Sequence, residues 1–255
     1  MDLGLKGKVA IVTGSSRGIG RSIALGLAEE GCRVVLTARH EEPLQQVAEE
    51  ARARGGEVLA VAADLTRGEG VEQVVRETVT AFGRVDVLVN NLGGSRGGRF
   101  DETSTEEFQE TLDLNLFPAI RFSEAAVPLM QQQGGGAIVN IASIWGREAG
   151  GKISYNVAKA ALISLTKQMA RELAPFRIRV NSVAPGSILF PGGSWDRRRQ
   201  ADPAGMAEFE RRELPMGFGR PEDVANVVVF LASERAGHVS GGCWVVDGAQ
   251  SFSNI

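Results

Sequence analysis

The chain has 255 residues, 43% of them apolar, with 28 basic against 31 acidic residues. Such a chain can bury a large core and is expected to be one domain over 1–255, while its near-neutral balance argues against a nucleic-acid or membrane-surface partner. Two isolated cysteines, Cys32 and Cys243, indicate neither a disulfide framework nor a metal site; with no membrane-length apolar run and no signal peptide at Met1-Asp2-Leu3-Gly4, a cytoplasmic protein is expected.

Val9-Ala10-Ile11-Val12 is an apolar run ending in Thr13-Gly14-Ser15-Ser16-Arg17-Gly18-Ile19-Gly20, after which Ile23 and Leu27 recur at helical spacing. A strand, a glycine turn and a helix in this order let backbone N–H groups and a helix N-terminus approach a pyrophosphate. A tight turn without ligand is the plainer alternative, and the flanking elements favour nucleotide binding. A second strand, Val34 to Thr37, ends in Ala38-Arg39-His40, where a dinucleotide fold places an acid on the adenosine ribose. Arg39, with Arg17 across the turn, suits a 2′-phosphate better than a free diol, unless Arg39 is solvated and Glu41 or Glu42 takes the diol.

A helix is predicted from Glu41 to Arg54, a strand from Val58 to Ala62 leading to Asp64-Leu65, and a helix through Phe82. A fourth strand, Val85 to Val89, runs into Asn90-Asn91-Leu92-Gly93-Gly94. Pro118 cannot donate to the carbonyl of Leu114, so the helix carrying Asn115 is expected to bend there; Asn115 itself needs a partner, as a core residue or as part of a site. A fifth strand, Ala137 to Ile141, delivers Ser143 to the edge where open parallel sheets bind ligands. A helix from Ser154 to Ala174 carries the stripe Ala158, Ala161, Leu162, Leu165 and Met169, expected to be buried on more than one face. Strand Val180 to Val183 leads to Ala184-Pro185-Gly186, and residues 187–218 break into Pro, Gly and charge around Trp195 and Phe209, the pattern of a mobile flap. A helix from Pro221 to Ala232 and a strand from Trp244 complete about seven strands of a doubly wound α/β parallel sheet with helices on both faces.

Tyr155 is the single tyrosine, and Lys159 lies four residues on, so the two share a helix face. A lysine cation beside a phenol favours the phenolate, and the expectation is a Tyr155 pKa below the usual value of about 10, as acid–base chemistry requires. A half-buried Tyr beside a solvated Lys is the alternative on this pair alone.

Together these residues resemble the short-chain dehydrogenase/reductase family over essentially the whole chain. Thr13, Gly14, Gly18 and Gly20 match its Thr-Gly-x-x-x-Gly-x-Gly turn, Asp64 the acid that contacts the adenine, and Asn90-Asn91-x-Gly93 its Asn-Asn-Ala-Gly element. Asn115, Ser143, Tyr155 and Lys159 fall in order on its catalytic tetrad, and Pro185-Gly186 with Ile188 on the segment that holds the nicotinamide carboxamide. The resemblance implies cofactor contacts from Gly14, Ser16, Arg17, Gly18, Ile19, Gly20, Arg39, Asp64, Leu65, Asn91, Gly93, Tyr155, Lys159, Pro185, Gly186 and Ile188. It implies that Tyr155 passes the proton, Ser143 steadies the substrate oxygen, Lys159 lowers the phenol pKa and binds ribose hydroxyls, and Asn115 holds a water. Three departures stand out: Leu92 for alanine, Phe190 for threonine, and Ala249 for the second glycine of Asp-Gly-Gly.

The first function expected is an NADPH-dependent carbonyl reductase, with 3-oxoacyl groups among its substrates. An NAD-dependent alcohol or sugar dehydrogenase is the second, and a cofactor-sensing binding protein the third. Gln131-Gln132-Gln133 stands where acyl-carrier reductases of the family present basic residues and would attract an acidic carrier poorly. Trp145 and Arg147 suit a flat or anionic substrate group or simply pack their loop. A homotetramer is expected, paired through the Ser154–Ala174 helix and the helix carrying Pro118.

Overall fold

Val9–Thr13 is buried at every position, as a strand covered on both faces must be, and forms β1 of a seven-stranded sheet. The computed structural model describes residues 1–254. After β1 come α1 (Gly18–Glu29), β2 (Arg33–Ala38), α2 (Glu41–Ala53), β3 (Glu57–Ala62), α3 (Gly68–Phe82) and β4 (Val87–Asn90). The second half runs α4 (Thr105–Asn115), α5 (Phe117–Gln132), β5 (Gly136–Ile141), α6 (Ile153–Leu173), β6 (Ile178–Pro185), α7 (Ser194–Ala201), α8 (Pro203–Glu213), α9 (Pro221–Ala232) and β7 (Cys243–Val246).

The strand order is β3-β2-β1-β4-β5-β6-β7, and every pairing is parallel. One face is covered by α1, α2 and α9 through Ile23, Leu27, Leu44 and Val228, the other by α3, α5 and α6 through Val74, Phe122, Met130 and Ala170. The winding reverses between β1 and β4, which opens a crevice at the C-terminal ends of those strands. At the opposite edge buried Asp86 locks the pair: its Oδ2 accepts the Val9 N–H at 2.9 Å while Arg84 grips both oxygens at 2.8 and 2.7 Å.

Three expectations change in detail. The bend at Pro118 is a complete break: α4 ends at Asn115, α5 begins at Phe117, and Pro118 occupies the new helix's first turn, where a missing N–H costs nothing. Of the α6 stripe only Ala158 and Leu162 are buried; Ala161, Leu165 and Met169 are half-exposed, and Val157 is exposed, so within one chain a single face is covered. The stretch 187–218 is built rather than irregular. Asp202 caps α8 by accepting the Gly205 N–H at 2.8 Å, and Trp195 of α7 stacks on Phe209 of α8 with centroids 4.9 Å apart. Phe218 closes the aromatic cluster at 5.7 Å from Trp195, and Ile188 bridges to Gly219. Among the described residues no helix is long and apolar enough to cross a membrane.

Candidate active site

The crevice is held open by polar ties between strand ends. Thr13, the last residue of β1, accepts the Asn91 and Leu92 N–H groups on its hydroxyl at 2.8 and 3.0 Å, and the Asn91 amide donates to the Thr13 and Gly14 carbonyls at 2.9 and 3.1 Å. The turn from Gly14 to Gly20 therefore lies directly against Asn91. A Cβ on Gly20 would fall 2.4 Å from the Asn91 nitrogen, and Gly14 and Gly18 hold φ of +64° and +55°, so glycine is required on two separate grounds. Gly18 opens α1, with Ser16 half-buried in the turn, Ile19 packed on the core below, and Arg17 exposed above.

Arg39 projects from the end of β2 as an exposed side chain and, like Arg17, joins no salt bridge among the described residues. Its charge reaches Asp64 after β3, whose carboxyl is held below the usual range first by hydrogen bonds from the Thr66 hydroxyl and N–H, then by Arg39 and Arg67. Leu65 is buried beside it. Arg39, Arg17 and Asp64 thus rim the β1–β2 side of the crevice.

On the β4–β5 side stand the four polar residues singled out by resemblance. Asn115, fully buried where α4 breaks, donates to the Gly94 and Thr111 carbonyls at 2.7 and 2.8 Å and accepts the Gly94 N–H at 3.2 Å. Lys159, 3% exposed, donates to the Ile141 carbonyl at 2.8 Å, and its ammonium lies 5.5 Å from the Tyr155 ring centre. Gly93 separates Asn115 from Lys159: a Cβ there would fall 2.7 Å from the Asn115 oxygen and 3.2 Å from the Lys159 nitrogen. Ser143, beyond β5, accepts the Trp145 N–H at 3.2 Å and hydrogen-bonds the Tyr155 phenol. The Tyr155 residue is half-exposed, with its hydroxyl beside Ser143.

The electrostatics differ from the expectation. Burial pushes the Tyr155 phenol up to about 12, with the Ser143 hydrogen bond as the only opposing influence, and burial pushes Lys159 down to about 7. The lysine cation does not depress the phenol here, because the same lack of solvent that would strengthen its field disfavours the cation itself. A neutral phenol is the form able to give a proton.

Pro185, Gly186 and Ile188 form the third wall, at the exit of β6, with the Gly186 N–H donating to the Val246 carbonyl at 3.0 Å. Phe190 turns back onto the dinucleotide turn, and a Cβ on Gly18 would meet its ring at 2.6 Å. A cleft of about 620 Å³ lies there, lined by Ser16, Arg17, Gly18 and Phe190. A larger cleft, about 860 Å³, sits at the other edge of the sheet between Lys8, Asp86, Arg177 and Arg179, remote from the Tyr155 group. Position and chemistry, not volume, mark the site. Among the described residues no cluster of His, Cys, Asp or Glu could hold a metal.

A family model described as enoyl-(acyl carrier protein) reductase matches residues 14–249, nearly all of this architecture. The chain belongs to the short-chain dehydrogenase/reductase family. It is an NAD(P)-dependent oxidoreductase. Among its relatives, an uncharacterized oxidoreductase of Mycobacterium tuberculosis is 39% identical over 253 residues, covering 98% of this chain and 95% of the relative. A 3-oxoacyl-acyl-carrier-protein reductase of Staphylococcus epidermidis is 39% identical over 237 residues, 92% of this chain and 95% of its own. The crystal structure of L-sorbose reductase from Gluconobacter frateurii, complexed with NADPH and L-sorbose, superposes with a TM-score of 0.91 at 38% identity, covering 98% of both chains.

Two residues that adjoin the family's site were not singled out from sequence. Gln250 accepts the Ser187 N–H at 2.8 Å, and Glu148 accepts the Phe252 and Ser253 N–H groups at 2.9 and 2.7 Å. Neither sits in a motif, and only the folded chain brings them to the crevice.

Proposed function

We propose that this chain is a carbonyl reductase that prefers NADPH and acts on a small ketone. The observation that carries the reading is the convergence of Ser143, Tyr155 and buried Lys159 at the edge of the crevice beside the glycine turn, with the Lys159 nitrogen 2.8 Å from the Ile141 carbonyl and 5.5 Å from the Tyr155 ring centre. The glycine turn and the α1 N-terminus suit a pyrophosphate, Asp64 and Leu65 the adenine, and exposed Arg17 and Arg39 a 2′-phosphate. Asn91, Gly93, Pro185, Gly186 and Ile188 would line the nicotinamide half. The bound nicotinamide supplies or accepts the hydride.

As hydride reaches the carbonyl carbon, the C–O π pair moves to oxygen, and Tyr155 gives that oxygen its proton while Ser143 donates a hydrogen bond to it. The phenolate left behind is reprotonated with the Lys159 ammonium as the source of the proton, and Asn115 fixes Gly94 through its N–H and carbonyl. The L-sorbose reductase neighbour supports a small ketone or ketose. The 3-oxoacyl relative supports a thioester. Gln133 is committed to the Val85 backbone N–H and carbonyl, and the uncharged Gln131–Gln133 run favours a free small molecule over an acidic carrier.

Loss of NADPH and NADH absorbance across ketones, sugars and oxoacyl thioesters tests the reading. Turnover with NADPH should vanish in Tyr155→Phe while cofactor still binds; an active Phe variant refutes the assigned site. The half-exposed apolar face of α6 further supports assembly as a homotetramer, and the whole reading fits a cytoplasmic enzyme acting as one domain.

A further inference from the structure

We infer that the C-terminal segment Asp247–Ser253 is a clasp across the reaction cleft, with Gln250 as the positioning residue for the wall Pro185–Ile188. This rests on the reading above that Tyr155 and Ser143 carry the chemistry and that this wall holds the nicotinamide end.

Ser187 is buried, and its N–H is satisfied by the Gln250 side-chain oxygen at 2.8 Å, 63 residues further along the chain. A buried N–H left without an acceptor is costly, so the wall settles where Gln250 offers one. The room for that oxygen exists because residue 186 is glycine. A Cβ there would fall 2.6 Å from the Gln250 oxygen and 2.7 Å from the Asp247 Cβ. Gly186 is therefore demanded by this chain's own tail, whatever else approaches it.

Gln250 is itself 8% exposed and held in place by a turn. The Asp247 carboxylate accepts the Ala249 N–H at 3.0 Å, the Ser251 N–H at 2.8 Å and the Ser251 hydroxyl at 2.6 Å. Past that turn the tail reaches the opposite wall, where Glu148 takes the Phe252 and Ser253 N–H groups on one oxygen. Glu148 belongs to the loop that leaves Ser143. Direct bonding between β5 and β6 ends among the described residues at Ala142 N–H to Val183 carbonyl, 2.7 Å; beyond it the tail spans the two walls. The clasp sets the distance between the residues that hold the cofactor's reacting end and those that hold the substrate oxygen, which is a quantity catalysis depends on steeply.

The test compares Gln250→Met, which removes the acceptor at nearly constant volume, with Gln250→Glu, which keeps an oxygen at the same reach. Three quantities are read: amide hydrogen exchange at Ser187, the NADPH dissociation constant by fluorescence titration, and kcat with the best ketone of the substrate screen. In Gln250→Met, exchange at Ser187 should accelerate about tenfold or more, NADPH binding should weaken about fivefold to tenfold, and kcat should fall; Gln250→Glu should restore all three to within about twofold. Parental exchange and affinity in Gln250→Met overturn the inference. So does a Gln250→Glu variant as impaired as Gln250→Met, since an acceptor oxygen at that reach would then not be what holds the wall. Should Gln250→Met fail to fold, Glu148→Ala tests the other end: exchange at Phe252 and Ser253 should rise and NADPH bind more weakly, and an unchanged dissociation constant refutes the clasp. An active Tyr155→Phe enzyme would instead refute the site reading on which the clasp rests, so the two failures are distinguishable.

Discussion

Tyr155 and Lys159 illustrate how burial overrides pairing. Spacing alone places them on one helix face, and from that a depressed phenol pKa follows only if the lysine remains a cation. Enclosed with its nitrogen on the Ile141 carbonyl, Lys159 falls to about 7, and the phenol rises to about 12. The sign of the stability effect is definite. Between about pH 7 and pH 10 the unfolded chain keeps a Lys159 proton that the folded site has released, so this group makes stability rise with pH. Between about pH 10 and pH 12 the folded site keeps a Tyr155 proton that the unfolded chain loses, so stability falls. Denaturant titrations of the cofactor-free protein should show the first rise, and Lys159→Met should flatten it; equal slopes in both proteins would contradict the burial argument. The phenolate absorbance of the sole tyrosine should appear only above pH 10. Cofactor choice is also a residue-scale matter. Arg39→Asp should invert the preference for NADPH over NADH by tenfold or more, since one charge-assisted hydrogen bond contributes about 1.5 to 3 kcal/mol. An unchanged ratio of kcat/KM for the two cofactors would place discrimination elsewhere.

At the scale of elements, local signals were legible where they were periodic. The seven strands fall where apolar runs predict them, whereas the reciprocal cap of α4, Ser104 with Glu107 at 3.2 and 3.0 Å, emerged only in the structure. Less legible were α7 and α8, whose sequence is polar and short; their order depends on Trp195, Phe209 and Phe218 meeting, a tertiary event with no periodic trace. The turn after β7 carries a small strain that the sequence marks only as a departure from Asp-Gly-Gly. Ala249 adopts φ of +64° and is exposed, so its side chain gains nothing in return for a left-handed backbone. Ala249→Gly should stabilise the protein by about 0.5 to 1 kcal/mol, the relief of strain less the added freedom of the unfolded chain. Thermal unfolding should show a rise of about 1 to 4 °C, and a lower Tm would show that the positive φ is held without strain.

At the scale of the whole molecule, the apolar surface left by one chain points to further copies. Val157 on α6, Trp244 and Val245 on the edge strand β7, and Phe252 on the tail are 44%, 37%, 38% and 89% exposed. Light scattering at micromolar concentration should give the mass of a tetramer, and Val157→Asp should reduce it; a monomer mass would remove the proposed assembly. What the sequence determined by itself was the alternation of elements, the glycine turn, and which polar residues are candidates for the site, because periodicity, turn chemistry and residue type are local properties. What only the tertiary structure decided was the burial that pushes Tyr155 up and Lys159 down, the need for glycine at residues 93 and 186, and the contacts of Gln250 and Glu148. Each of those depends on solvent exclusion or on contact between residues far apart in the chain, and neither quantity exists until the sheet has closed around them.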